Sequence, residues 1–190
     1  PGMEYIPFAS VSEHCKNNSI TCVAPTKTFN LAGLQTAAVI VPDAALRHRV
    51  NRGLNTDEVA EPNVFAAIAT IAAFARGREW LEELREYLWE NRKFAEDFIR
   101  EEIPELRTVS ADATYLLWID CNALPGDLSE LAEFIRKESG LYVCDGREYG
   151  NGYGFLRMNL AYRRELLKEG LERLKRSIHS YRKGISNGII

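Results

Sequence analysis

Apolar residues recur every three to four positions along much of the chain, the spacing that places them on one face of a helix. This pattern predicts helices at residues 78–103, 127–139 and 164–182. An alanine-rich stretch at 62–76 is apolar on most of its surface and is predicted to form a buried helix that ends at Gly77. Asp127, at the start of its helix, is a predicted N-cap.

Shorter apolar or β-branched runs lie between these helices and predict strands. They occupy residues 19–24, 36–41, 106–109, 114–120, 141–144 and 155–161. The run at 36–41 is apolar almost throughout, which is typical of a buried strand in a parallel sheet. Residues 25–34 and 51–61 are predicted to be irregular, with a short helix at 10–18 and another after Pro42.

These elements predict an α/β chain of two domains. Residues 78–190 are predicted to form a small α+β domain, with helices packed over a mainly antiparallel sheet. Residues 1–77 contain two strands, too few for a sheet with both faces covered. We therefore expect the strand at 36–41 to lack neighbours or to pair with another chain, and the protein to form a homodimer. The opening Pro-Gly-Met indicates either a processed N-terminus or a part of a longer chain, and the strand without neighbours leads us to expect the longer chain.

Composition excludes several classes of function. The 190 residues carry 24 Lys and Arg against 27 Asp and Glu, a formal net charge of −3, so no basic field favours nucleic acid. The longest apolar stretch is too short to span a bilayer. The four cysteines and three histidines lack the spacing of a zinc site. Without a signal peptide, the sequence predicts a cytoplasmic protein with reduced, mostly buried thiols.

Two basic residues lie in apolar stretches of sequence. Lys27 is in a loop at the carboxyl end of the first strand, where α/β sheets place ligands. Apolar surroundings would favour the neutral amine of Lys27, which is the form that attacks an aldehyde. The alternative interpretation is a surface lysine in a turn. Arg157 lies mid-strand and needs a partner, either a local carboxylate or a ligand.

Four glycines occupy the segment that precedes the Arg157 strand. Gly150, Gly152 and Gly154 are spaced as in some nucleotide-binding loops, but no helix follows and no Gly-Lys-Ser/Thr is present. We therefore interpret these glycines as a flexible or hairpin segment. None of the three histidines has a predicted role.

The sequence around Lys27, with Thr28, Phe29 and Gly33, resembles the lysine motif of the fold-type-I pyridoxal-phosphate enzymes. This is the class I and II aminotransferase superfamily, and the match is closest to its cystathionine β-lyase-like branch. The strand from Gly154 to Ala161 resembles the carboxylate-binding strand of the same enzymes. Further matching strings lie in order at 5–10, 63–67, 77–81 and 114–120, so the resemblance covers nearly the whole chain.

The resemblance implies a three-layer α/β fold, an amino-acid substrate and a pyridoxal 5′-phosphate cofactor. Residues 1–77 would be the C-terminal remnant of the cofactor-binding large domain, and residues 78–190 the small domain with the long interdomain helix. Lys27 would form an aldimine with the cofactor and later move the substrate's α-proton. Thr26 is the nearest candidate hydroxyl for the cofactor phosphate. Arg157 would hold the substrate's α-carboxylate.

Two departures from the superfamily pattern limit the assignment. Ala24 and Gln35 stand where aspartate-type aminotransferases have a serine and an arginine that contact the phosphate, which favours the β-lyase-like branch. The family's ring-stacking aromatic residue and pyridine-nitrogen aspartate come from a preceding half, so we expect this chain to be the C-terminal half and inactive alone. A C–S β-lyase, an aminotransferase and a non-catalytic α+β assembly or binding domain all remain open.

Overall fold

The computed structural model describes residues 4–187 and divides into two units, the first ending at Arg85 and the second beginning at Glu86. The sequence predicted the domain boundary between residues 77 and 78. Residues 1–3 and 188–190, at the ends of the two predicted domains, lie outside the described residues. Those domain limits stay a prediction. Among residues 4–187, none of the helices has both the length and the apolar character needed to cross a membrane.

The first unit contains short helices and a two-stranded antiparallel sheet. Its elements are α1 (Glu13–Asn17), β1 (Thr21–Val23), α2 (Pro25–Thr28), β2 (Ala38–Ile40), α3 (Ala44–Thr56) and α4 (Ala66–Arg76). Cys22 on β1 lies opposite Val39 on β2. Helix α3 begins after Asp43, whose carboxylate accepts a hydrogen bond of 2.7 Å from the backbone N–H of Leu46.

Two segments predicted to be irregular are partly helical. Residues 25–28 form α2, because Pro25 at the first turn already has the backbone angle of a helix. Helix α3 continues to Thr56 through polar sequence, since the side chains of Asn55 and Thr56 donate hydrogen bonds to backbone carbonyls four residues earlier. Polar composition therefore did not end this helix.

The strand and the alanine-rich helix predicted to be buried are largely exposed in the first unit, although Val41 and Ala66 are buried. Ile40 on β2 is 51% exposed and Ile71 on α4 is 66% exposed. Among the described residues β2 has one sheet neighbour, as expected for an incomplete sheet, but the pairing with β1 is antiparallel and not parallel. Apolar side chains are buried only where a second surface covers them, and the described residues of this unit cover only part of the strand and the helix.

The second unit is an antiparallel sheet with helices packed on one face. Its elements are most of α5 (Arg78–Glu102), then β3 (Arg107–Thr108), β4 (Leu116–Asp120), α6 (Leu131–Ser139), β5 (Cys144–Asp145), β6 (Phe155–Asn159) and α7 (Arg164–Ser186). The strands lie in the order β3-β4-β6-β5, and each neighbouring pair is antiparallel. This confirms the predicted antiparallel sheet covered by helices.

One face of this sheet forms the core, and the opposite face carries polar and aromatic side chains. Alternate residues of β4 and β6 are buried against the helices, namely Leu117, Ile119, Leu156 and Met158. Because successive strand residues point to opposite faces, Trp118 and Arg157 lie on the other side of the sheet. The period-two pattern therefore places Arg157 away from the core.

The buried side chain of Asn91 fastens α5 to the chain that follows β6. Its amide nitrogen donates hydrogen bonds of 2.9 Å to the carbonyls of Leu160 and Tyr162. Its amide oxygen accepts one of 2.8 Å from Nε of Arg164, at the start of α7. One side chain thus provides hydrogen-bond partners for three polar groups that burial would otherwise leave unpaired.

The glycine segment between β5 and β6 is held by close backbone contacts. A Cβ atom on Gly152 would lie 2.2 Å from the carbonyl oxygen of Gly146, and Gly150 has a φ of +98° that favours glycine. The Arg147 guanidinium pairs with the Asp145 carboxylate at 2.6 Å, which lowers the pKa of Asp145. These contacts define one loop conformation, whereas the sequence allowed a flexible one.

All four cysteines are free thiols, but only Cys121 is buried. The prediction of mostly buried thiols is therefore wrong, since Cys22 is exposed and Cys15 and Cys144 are partly exposed. Burial first, and then the charge of Asp120, raises the pKa of the Cys121 thiol to about 12. This thiol therefore stays protonated in the core.

We predict that Asn91→Leu destabilises the second unit. The apolar side chain leaves two carbonyls and one Arg164 N–H without partners, so we expect the free energy of unfolding to fall by about 2–4 kcal/mol. Urea unfolding followed by circular dichroism measures this loss. Lys93→Ala, at an exposed position of the same helix, is the control. Equal stability of the two variants would contradict the prediction.

We also predict opposite effects for two glycine substitutions. Gly152→Ala places its Cβ 2.2 Å from a backbone oxygen, so we expect a loss of about 1–3 kcal/mol. Gly170→Ala, on helix α7, meets only Leu141 Cδ1 at 3.6 Å, and helix propensity favours alanine there by up to about 1 kcal/mol. Thermal unfolding compares the two, and a stable Gly152→Ala variant would show that the close contact is unimportant.

Candidate active site

Lys27 lies in helix α2, one short turn after strand β1. Its side chain is exposed, and Thr26 beside it is partly buried. None of the ion pairs or side-chain hydrogen bonds among residues 4–187 involves the Lys27 amine. The expectation of apolar walls around this lysine is wrong for the described structure, and the amine is open to a reactant.

Phe29 anchors the turn that carries Lys27. Its ring stacks on Trp80 at 6.0 Å and meets Phe74 edge-on at 5.6 Å. Gly77 allows this approach, because a Cβ there would lie 2.6 Å from the Phe29 ring. The sequence analysis used Phe29 only as part of a motif and missed this role, which an aromatic residue directly after a polar turn could have indicated.

The two departures from the family pattern lie at either end of this turn. Ala24 is the N-cap of α2 and offers no side-chain hydrogen bond there. Gln35 adopts a left-handed backbone, with φ of +46°, after a single helical turn at Ala32–Leu34. Neither residue supplies the hydroxyl or the positive charge of the aspartate-type pattern, and the Thr26 hydroxyl stays a prediction for the cofactor phosphate.

Arg157 lies in the middle of β6, between Trp118 on β4 and Cys144 on β5. Its Nη2 donates to the Cys144 sulfur at 3.6 Å, and its guanidinium carbon lies 3.9 Å from the centre of the Tyr149 ring. Within the described part of the chain, no carboxylate forms an ion pair with it. The alternative of a structural salt bridge is therefore not observed.

A surface cavity of about 510 Å³ reaches Arg157. Its lining includes Leu116, Cys144, Arg157, Asn159 and Leu166. A cavity of this size accommodates a small ligand, and the guanidinium is a natural partner for a carboxylate. The structure thus brings Arg157 to an accessible cavity within the second unit, while Lys27 and Thr26 belong to the first unit.

The aromatic and thiol neighbours of Arg157 were missed by sequence reasoning. Trp118 could have been found, because strand alternation places it on the Arg157 face. Tyr149 and Cys144 could not, since their approach depends on the fold of the glycine loop and on the register of β5.

The family profile described as "Aminotransferase class I and II" matches residues 3–174 of the chain. Cystathionine β-lyase PatB of Bacillus subtilis strain 168 is 37% identical over 178 residues, which are 93% of this chain and 46% of that protein. Protein MalY of Escherichia coli strain K12 is 29% identical over 180 residues, 94% of this chain and 45% of that protein. The chain thus spans about half the length of these curated relatives.

Solved structures agree in fold. A pyridoxal-phosphate-bound putative aminotransferase from Clostridium difficile 630 superposes with a TM-score of 0.90 and 38% identity, over 93% of this chain and 46% of that one. Cystalysin from Treponema denticola, which contains the same cofactor, gives a TM-score of 0.91 and 28% identity, over 95% and 46%. The fold is therefore that of the fold-type-I enzymes, and the chain belongs to the class I and II aminotransferase family.

Proposed function

We propose that this chain supplies the cofactor lysine and the substrate-carboxylate arginine of a pyridoxal-phosphate enzyme that acts on an amino acid. The observation that carries the proposal is Arg157, a strand arginine that has no carboxylate partner among residues 4–187 and lines a cavity. An amino-acid substrate brings the missing carboxylate. The cofactor-bound relatives support the same conclusion.

The residues around Lys27 fit the functional groups of the cofactor. Its exposed amine is free of ion pairs within the described residues and suits an aldehyde, and the Thr26 hydroxyl, which has no hydrogen-bond partner there, suits a phosphate. When bound, pyridoxal phosphate withdraws electrons from the substrate's α-carbon. Lys27 would hold the cofactor and, once released, take the α-proton as a general base.

Arg157 would orient the substrate for this proton transfer. Two parallel hydrogen bonds from its guanidinium to the α-carboxylate fix the amino acid in one plane. The carboxylate is common to all α-amino acids, so Arg157 recognises the class of substrate and leaves its side chain to other residues. Proton removal by Lys27 serves either a lyase or a transaminase reaction.

A C–S β-lyase is the reaction we propose, with an aminotransferase as the second candidate. The relatives named as cystathionine β-lyases include one 37% identical to this chain. The aminotransferase reaction is supported by the solved structure of a putative aminotransferase that is 38% identical to this chain. The homodimer, the cytoplasmic location and the inactivity of the chain alone stay predictions, as does the alternative of a non-catalytic assembly or binding domain.

We predict that Lys27 is the residue modified when the chain is treated with limiting pyridoxal phosphate and sodium borohydride. Peptide mass mapping should find the label on Lys27, and Lys27→Ala should lose it. Lys93→Ala, which removes another exposed lysine, should keep it. A label spread evenly over the lysines, or one that persists in Lys27→Ala, would reject the lysine's role and favour the non-catalytic alternative.

We predict that Arg157→Ala weakens amino-acid binding by the cofactor-loaded protein roughly a hundredfold, because a charged bidentate contact contributes about 3 kcal/mol at about 1.4 kcal/mol per decade. Cofactor binding and thermal stability should change little, since the substitution breaks no ion pair in the described structure. Arg107→Ala, at an exposed strand position, is the control. Unchanged binding together with a large loss of stability would identify Arg157 as structural.

A further inference from the structure

The Arg157 guanidinium lies over the ring of Tyr149. The distance of 3.9 Å between the guanidinium carbon and the ring centre is the shortest of the three cation–π contacts among the described residues. The ring itself is held edge-on by Trp118 at 5.7 Å, and Trp118 lies directly opposite Arg157 in the β4–β6 register. The three side chains therefore form one cluster on the sheet face opposite the core, with Arg157 over the Tyr149 ring and Trp118 edge-on to it.

The backbone around Tyr149 fixes the position of its ring. Tyr149 ends a single helical turn, Gly146–Tyr149, and Gly150 follows with a φ of +98°. Arg147 in the same turn donates a hydrogen bond to the carbonyl of Ser129, which joins the loop to the segment before α6. Tyr153 adds a hydrogen bond of 3.0 Å to Asp127. The ring is thus presented by a braced loop, although it is 44% exposed.

The orientation of this cluster matters for carboxylate binding. A guanidinium is flat, and all its N–H groups point outward in its own plane. A ring on one face therefore leaves those donors open, while it limits the rotation of a long side chain that would otherwise lose freedom on binding. Tyr149 is not among the residues that line the cavity at Arg157, so the ring does not occupy the ligand's space.

We propose that Tyr149 is a positioning residue, which holds the Arg157 guanidinium in the plane needed to receive a substrate carboxylate. The inference rests on the proposed role of Arg157. Interaction with the Cys144 thiol, followed by burial, raises the pKa of Tyr149 to about 12, against the opposing charge of Arg157. The ring therefore stays a neutral phenol near neutral pH.

Nuclear magnetic resonance of the Arg157 Nε–Hε group tests this inference on the 190-residue chain, with L-alanine as the carboxylate probe. In the wild type we expect a ring-current shift from Tyr149 and a saturable change on titration. Tyr149→Phe keeps the ring and should preserve both. Tyr149→Leu should lose the ring-current shift and raise the dissociation constant of L-alanine about tenfold, equivalent to about 1.4 kcal/mol.

Phe94→Leu is the matched control, because it removes the ring under Arg164, another cation–π pair of the same unit at 4.7 Å. It should leave the Arg157 signal and the affinity unchanged. A wild-type affinity in Tyr149→Leu would overturn the positioning role alone, and a loss in Tyr149→Phe would overturn the stacking argument. A wild type that does not respond to L-alanine would overturn the proposed role of Arg157 and this inference with it.

Discussion

The hydrogen bonds of Asn91 are the constraint on which the geometry of the second unit depends. Strand β6 ends at Asn159, and the Asn91 amide nitrogen donates hydrogen bonds to the carbonyls of Leu160 and Tyr162, one and three residues after that end. The amide oxygen of Asn91 accepts a hydrogen bond from Nε of Arg164. The end of β6, the turn after it and the start of α7 are therefore all hydrogen-bonded to one residue of α5. A rigid β6 is what allows the arginine at its centre to have a defined position.

The sheet face opposite the core shows how a charged side chain is placed without an ionic partner. Arg157 remains partly accessible, its guanidinium is covered on one side by an aromatic ring, and its N–H groups meet only the soft sulfur of Cys144 among the described residues. Full burial would demand a counter-charge, while full exposure would leave the side chain mobile. The half-buried arrangement keeps the charge available to a carboxylate.

The first unit depends on a different principle, since its apolar surfaces are largely uncovered in the described residues. The turn with Lys27 is nevertheless anchored, because Phe29 packs between Phe74 and Trp80 and the absence of a side chain at Gly77 allows this. The exposed faces of β2 and α4 are therefore not needed to hold the lysine turn. This matters for the proposed function, because the lysine must be accessible yet fixed.

The sequence by itself determined the elements of the second unit and the family of the chain. Strand alternation and helical periodicity report local preferences, so they were sufficient to predict the antiparallel sheet and the long helix that ends at Glu102. Asp127 caps the 3-10 turn Leu128–Glu130 that precedes α6, and not α6 itself. The motif around Lys27 was sufficient to identify the family. Only the tertiary structure decided that α4 is largely exposed and that the Arg157 guanidinium lies over the Tyr149 ring, because both depend on which surfaces come into contact and no local sequence pattern encodes such contacts.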